Sequence, residues 1–179
     1  TVLPVAFAIH TVTSWLLATT WRPGWDSTNL GPYFVSGAFM AGAAAIIVAM
    51  FILRKTLKFE KYITLSHFDK MGKLLVLLSL VYLYFNINEY LSPAFKMVGL
   101  EGEHLEELFV GNYAPMYWSV QLLGMVIPIV LLMFKKFRKP IPIMLISFVV
   151  VVGAWFKRFL IVIPALQHPH LPIQDVDES

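Results

Sequence analysis

The chain has 179 residues, of which 58% are hydrophobic and 14% charged, with a formal net charge of +3 and a mean hydropathy of +0.71. Soluble domains carry about 25% charged residues, so this composition excludes an ordinary soluble domain and predicts an all-α polytopic membrane protein. There is no cysteine, so the chain forms no disulfide and ligates no iron–sulfur cluster; no metal site and no nucleic-acid partner are expected.

The sequence opens within an apolar run, without Met, and closes on a loop-like stretch, Pro172 to Ser179. It is expected to be an internal piece of a longer chain, in which no targeting peptide can be judged. Five apolar segments have the roughly 20 residues needed to cross a bilayer: Val2 to Thr20, Tyr33 to Leu53, Gly72 to Leu91, Ala114 to Phe134 and Ile141 to Ile163.

The first segment carries His10 near its middle, with Thr13 and Ser14 on the same helical face. His10 reads either as a histidine hydrogen-bonded within a bundle or as a ligand or proton carrier. No other histidine lies within a span, which disfavours a bis-histidine haem. The segment ends at Trp21-Arg22-Pro23-Gly24-Trp25-Asp26-Ser27-Thr28, an abrupt polar cluster at a helix mouth. Asp26 reads as a cap or turn acid, or as a functional carboxylate.

The second segment is rich in small residues, with Gly37 and Ala41, and Ala38 and Gly42, four apart. That spacing predicts close helix packing. A basic loop follows, holding Arg54, Lys55, Lys58, Lys61 and Lys70. Ser66 with Asp69 three residues on has the spacing of a capping box at the start of the third helix, and His67 is expected on the surface. Within the third segment, Tyr82, Asn86 and Glu89 form one polar stripe at i, i+4 and i+7. Ionisable groups in a span are costly and suggest function. Glu89 is therefore either a proton carrier or a carboxylate wetted at the interface. The acidic run from Glu101 to Glu107 reads as a solvated loop or short surface helix, or as a docking surface for a soluble partner. Gly124 and Pro128 are expected to kink the fourth helix.

A second basic loop holds Lys135, Lys136, Arg138 and Lys139. The two basic loops fall on one side of the membrane, whereas the opposite loops hold only Arg22 and Lys96, so the basic side is expected to be cytoplasmic. Near the outer end of the fifth segment stand Trp155, Lys157 and Arg158. Lys157 and Arg158 point about 100° apart, so at least one must face protein. The economical reading has Lys157 snorkelling outward and Arg158 paired with a carboxylate, Asp26 being the candidate at its level. Asp26, Glu89 and Arg158 all lie at outer helix ends, hence at one depth. Carboxylate, cation and aromatic walls there suit a quinol head group, whose oxidation releases two protons and needs bases.

The runs His10-Thr-Val-Thr-Ser-Trp15, Arg22-Pro-Gly-Trp-Asp-Ser-Thr28, Gly31-Pro-Tyr-Phe-Val35, Glu60-Lys-Tyr-Ile-Thr64, His67-Phe-Asp-Lys-Met-Gly-Lys73, Tyr113-Ala-Pro-Met-Tyr-Trp118 and Trp155-Phe-Lys-Arg-Phe159 resemble the NrfD-like family of polysulfide-reductase membrane subunits. More narrowly, they resemble the quinol-oxidising membrane subunit of alternative complex III. The resemblance covers nearly the whole sequence. It implies two four-helix bundles with two peripheral helices. Residues 1–20 would be the last helix of a first bundle, 21–32 an outer loop, 33–163 the second bundle and 164–179 an outer tail.

The resemblance also implies a quinol site at the periplasmic face of a bacterial inner membrane, with Asp26 and Arg158 matching the family's aspartate and arginine and Trp25 and Trp155 as aromatic walls. The substrate would be menaquinol. Electrons would pass to a periplasmic iron–sulfur subunit, with cytochrome subunits carrying haem c and a paralogous membrane subunit as further partners. His10, Glu89, Asn86 and Tyr82 are candidates for a proton path. Two other readings stand beside this one: a non-catalytic anchor or proton-channel paralogue in the same complex, and a secondary transporter. Transporters bind near the midplane, whereas here only His10 is central.

Overall fold

The structure is a computed structural model that describes residues 2–20, 25, 29–96 and 100–167. Every described element is helical. All five predicted apolar segments form helices: α1 (Val2–Ala18), α2 (Leu30–Thr56), α3 (Leu65–Lys96), the run from α5 (Ala114–Gln121) through a π-turn (Leu122–Val126) to α6 (Ile127–Met133), and α7 (Pro140–Gln167). The acidic run is helical too, as α4 (Leu100–Phe109). Four of these elements are long and apolar enough to span a membrane, and α1 is a shorter apolar helix. The chain is a multi-pass membrane protein.

α2 is the hub, packing against α3, α7 and α1, while α7 crosses the π-turn and α6 lies on α3. The core between them holds Tyr33, Met40, Ala44, Ile47, Phe68, Leu75, Met125, Leu132, Ile143 and Val150. α1 packs on α2 and leaves Leu3, Phe7, Ile9, Val12, Trp15 and Leu16 exposed.

α2, α3 and α7 outrun their apolar segments because hydropathy registers only the hydrocarbon-depth part of a span, while α1 and the α5–α6 run end one or two residues short of theirs. α3 begins at Leu65, and its start is not the predicted Ser66–Asp69 box. His67 Nδ1 accepts from the Thr64 amide at 3.2 Å and lies 2.9 Å from the Thr64 hydroxyl. Thr64 therefore stands at the cap and His67 three residues in. Asp69 is drawn off to Lys73 (2.7 Å) and Arg138 (2.8 Å). Where a kink is expected in the fourth span there is a π-turn, in which the Ile127 amide donates to Leu122 O. Pro128 has no amide hydrogen to continue an α ladder.

Of the small residues in α2, Gly37 has a specific use. A Cβ there would stand 2.9 Å from Cε2 of Tyr82, whereas one at Gly42 would meet nothing within 4 Å. Gly37 thus lets the Tyr82 ring lie flat on the α2 backbone. Gly37→Val is expected to displace that ring and cost about 1–3 kcal/mol as an overpacked site, read as a lower melting temperature of the purified complex; Gly42→Val should melt as wild type.

Candidate functional site

The sequence-predicted stripe on α3 is real: Tyr82, Asn86 and Glu89 are all buried. It is the spine of a larger polar network. Tyr82 O–H donates to the Tyr33 hydroxyl at 3.1 Å, and the two rings stack with centroids 5.2 Å apart. Tyr33 O–H in turn donates to Asn86 Oδ1 at 3.3 Å. The Asn86 and Gln121 amides bond each other, Nδ2 to Oε1 at 3.3 Å and Nε2 to Oδ1 at 3.4 Å. Gln121 Nε2 also donates to the Tyr117 hydroxyl at 3.0 Å. Buried polar groups must be satisfied internally where no water reaches, and this network does so across α2, α3 and α5.

Beside it stands Lys157, 4% exposed. Its ammonium donates to the Tyr90 hydroxyl at 3.0 Å and lies 4.7 Å and 5.0 Å from the ring centroids of Tyr90 and Tyr117. Glu89, buried on α3, lies within electrostatic range of Lys157 and of Tyr33, Tyr82 and Tyr90. A buried ammonium needs such compensation: an oxygen acceptor, two aromatic faces and an opposite charge. This reverses the expectation for α7. Lys157 does not snorkel outward, and Arg158 is the more exposed of the pair.

Arg158 nonetheless lines a cleft of about 40 Å³ between α2 and α7, with Tyr33, Phe34, Gly37, Tyr82 and Lys157. Lys157 lines a second, smaller space with Gln121 and Met125, and so joins the cleft to the network. Trp25 is buried at the same end and donates its indole N–H to Ile161 O at 2.9 Å. Trp155 is 70% exposed, packs edge-on against Phe156 and does not line the cleft. Asp26 lies outside the described residues, as does Arg22.

His10 is apart from this group. It borders an apolar space of about 100 Å³ between α1 and α2 with Phe7, Val35, Ala38 and Phe39. Its Nδ1 is 2.8 Å from Ala6 O. A carbonyl only accepts, so Nδ1 is the donor. On the exposed side of α3 and α5 runs a wider groove of about 340 Å³, apolar at its rim through Ile87, Leu91 and Val126 and backed by Asn86, Tyr90, Tyr117 and Gln121.

Sequence reasoning missed Tyr33, Tyr90, Tyr117, Gln121 and the burial of Lys157. A signal existed for the lysine. Ser147, Val150, Ala154 and Lys157 recur at alternating spacings of three and four, and small residues mark the packed face of a membrane helix.

The chain matches the family model described as polysulphide reductase, NrfD, over residues 1–170, and it belongs to that family. The family places it as a membrane subunit of a redox complex that works with iron–sulfur subunits. No curated protein matches the chain.

Proposed function

We propose that the chain is the quinol-oxidising membrane subunit of a bacterial respiratory complex of the alternative complex III type, with menaquinol as substrate. The observation that carries this reading is the cleft where Arg158 and Lys157 stand with Tyr33 and Tyr82 at the end covered by Trp25. Two cations and two phenols converge at one helix end, and a buried hydrogen-bonded chain leads inward from them. At about 40 Å³ the cleft admits a hydroxyl-sized group and no ring. The ring therefore belongs at the mouth, beside Trp25, and the resemblance makes the next residue in sequence, Asp26, its carboxylate. Arg158 orients the head group. Asp26 takes a hydroxyl proton. Tyr82 and Tyr33, each donating in turn, form the first links of a proton route towards Asn86, with Glu89 and Lys157 as the charged groups beside it.

Oxidation of the quinol yields two electrons and two protons. This chain has no cysteine, and the electrons pass to an iron–sulfur subunit docked on the periplasmic face, then to haem c on cytochrome subunits. A paralogous membrane subunit completes the assembly, in the inner membrane with the basic loops inside. In this reading α1 packs with helices of a first bundle beyond the described ones.

A second reading is favoured by volume alone. The groove of about 340 Å³ on α3 and α5 is within the usual range of ligand pockets, and its back wall presents Tyr90, Tyr117, Asn86 and Gln121. One experiment separates the two. Quinol oxidation is measured for complex carrying Asp26→Asn or Ile87→Trp, with subunit and cofactor content checked. The mouth reading expects Asp26→Asn to fall about tenfold or more and Ile87→Trp, which fills the groove, to match wild type. The reverse result moves the head group to the groove. Two unaffected variants would leave the chain as the anchor paralogue.

A further inference from the structure

At the opposite, basic end, the turn Lys135–Arg138 and Lys139 close a cleft of about 430 Å³ against the start of α3. Its lining holds four cations, Leu65 and a single carboxylate, Asp69. Arg138 is already committed. Nε and Nη2 donate to Leu132 O (2.8 Å) and Met133 O (2.7 Å), and Nη1 holds Asp69 at 2.8 Å. Gly72 makes room for its stem, since a Cβ there would stand 3.1 Å from the Arg138 Cγ and Cδ. Asp69 is shared with Lys73. Lys135, Lys136 and Lys139 are thus exposed around a cleft whose one acid is taken, and neither of the ion pairs that Asp69 makes includes them. Beside them Leu65, Met133 and Phe134 are exposed at 60% or more.

We propose that this cleft binds the phosphate headgroup of an anionic phospholipid, with the three lysines on the phosphate and Phe134, Met133 and Leu65 against the acyl chains. Cations alone would suit any phosphate ester. The apolar side chains flanking them, at the end of two membrane-spanning helices, favour a phosphate that carries its own hydrocarbon. The other basic loop supplies a control: Lys55, Lys58 and Lys61 are exposed on the same side but line none of the clefts described above. The site is independent of where quinol binds.

The test is retention of phosphatidylglycerol by the purified complex, followed by native mass spectrometry, with phosphatidylcholine as the neutral comparison and glycerol 1-phosphate as a soluble competitor. Wild type and Lys55→Gln/Lys58→Gln/Lys61→Gln should retain phosphatidylglycerol over phosphatidylcholine. Lys135→Gln/Lys136→Gln/Lys139→Gln should bind it about tenfold more weakly or worse. Should the triple variant not assemble, Lys136→Glu makes the same test with one reversed charge. Retention undiminished in these variants, or equal loss in the control triple, overturns the proposal. Displacement by glycerol 1-phosphate would assign the cleft to a soluble phosphate ester and overturn it equally.

Discussion

Lys157→Met is expected to lower quinol oxidation by the purified complex about 100-fold, the lower end of what one positioned proton-transferring group contributes, while subunit and cofactor content stay at wild-type levels. Methionine keeps the length and the packing of the stem. It removes the hydrogen bond to Tyr90, the cation over the Tyr90 and Tyr117 rings, and a positive charge within electrostatic range of Glu89. Each contact is individually modest: a hydrogen bond from a charged donor contributes about 1.5–3 kcal/mol net, and a cation over a ring about 1–2 kcal/mol when desolvated. The large term is the charge itself, because a buried cation within electrostatic range of a buried carboxylate is lost. Loss of activity could then follow from loss of structure, so the companion variant matters. Lys157→Met/Glu89→Gln removes both charges. If the lysine serves only to balance the glutamate, the double variant recovers activity together with thermal stability. If Lys157 and Glu89 handle protons, the double variant regains stability and remains inactive. Full activity in Lys157→Met alone would remove α7 from the proton route.

The cleft includes this lysine and does not include Trp155. The cleft draws its aromatic walls from α2 and α3, as Phe34, Tyr33 and Tyr82, while Trp155 faces outward from α7.

What was legible beforehand follows the range over which sequence patterns act. Spans and basic loops depend on composition within some 20 residues, and all five apolar segments became helices. The stripe Tyr82, Asn86, Glu89 was legible because its members share one helix and a period of 3.6 residues places them on one face. Gln121 and Tyr117 belong to the same network but stand on another helix, about 30 positions along, where no periodicity connects them to Asn86. On α7 the 100° between Lys157 and Arg158 was known, but not the phase of the helix. Hydropathy could not set that phase, because Ile141 to Val152 is apolar on every side apart from Ser147. Only the small residues at 147, 153 and 154 point to the buried face, and they do so weakly. The Asp69 box failed for a related reason. The capping pattern competes with any cation that tertiary structure brings near, and Arg138 is 69 positions away.

Those small residues carry the other large effect. Gly153→Leu is expected to abolish assembly of the complex, seen as loss of this chain and its partners from the membrane fraction. The backbones of α7 and the π-turn meet at Gly153 and Gly124. A Cβ on Gly153 would lie 2.7 Å from Gly124 Cα, and one on Gly124 would lie 3.1 Å from Gly153 Cα. The obstacle in each case is backbone, so no rotamer change relieves it, and a few added methylenes in a packed site already cost about 1–3 kcal/mol. The two positions are unequal, and that inequality is the sharper part of the test. Gly153→Ala should lower the melting temperature of the complex more than Gly124→Ala does, by the difference between a collision and a tight contact. The same crossing sets Gln121, one residue before the π-turn, against Asn86. In the surviving alanine variants, activity should therefore fall in the same order as stability. If Gly153→Leu assembles normally, the helices are not held at this distance, and the hydrogen bonds linking Gln121 to Asn86 lose their structural basis.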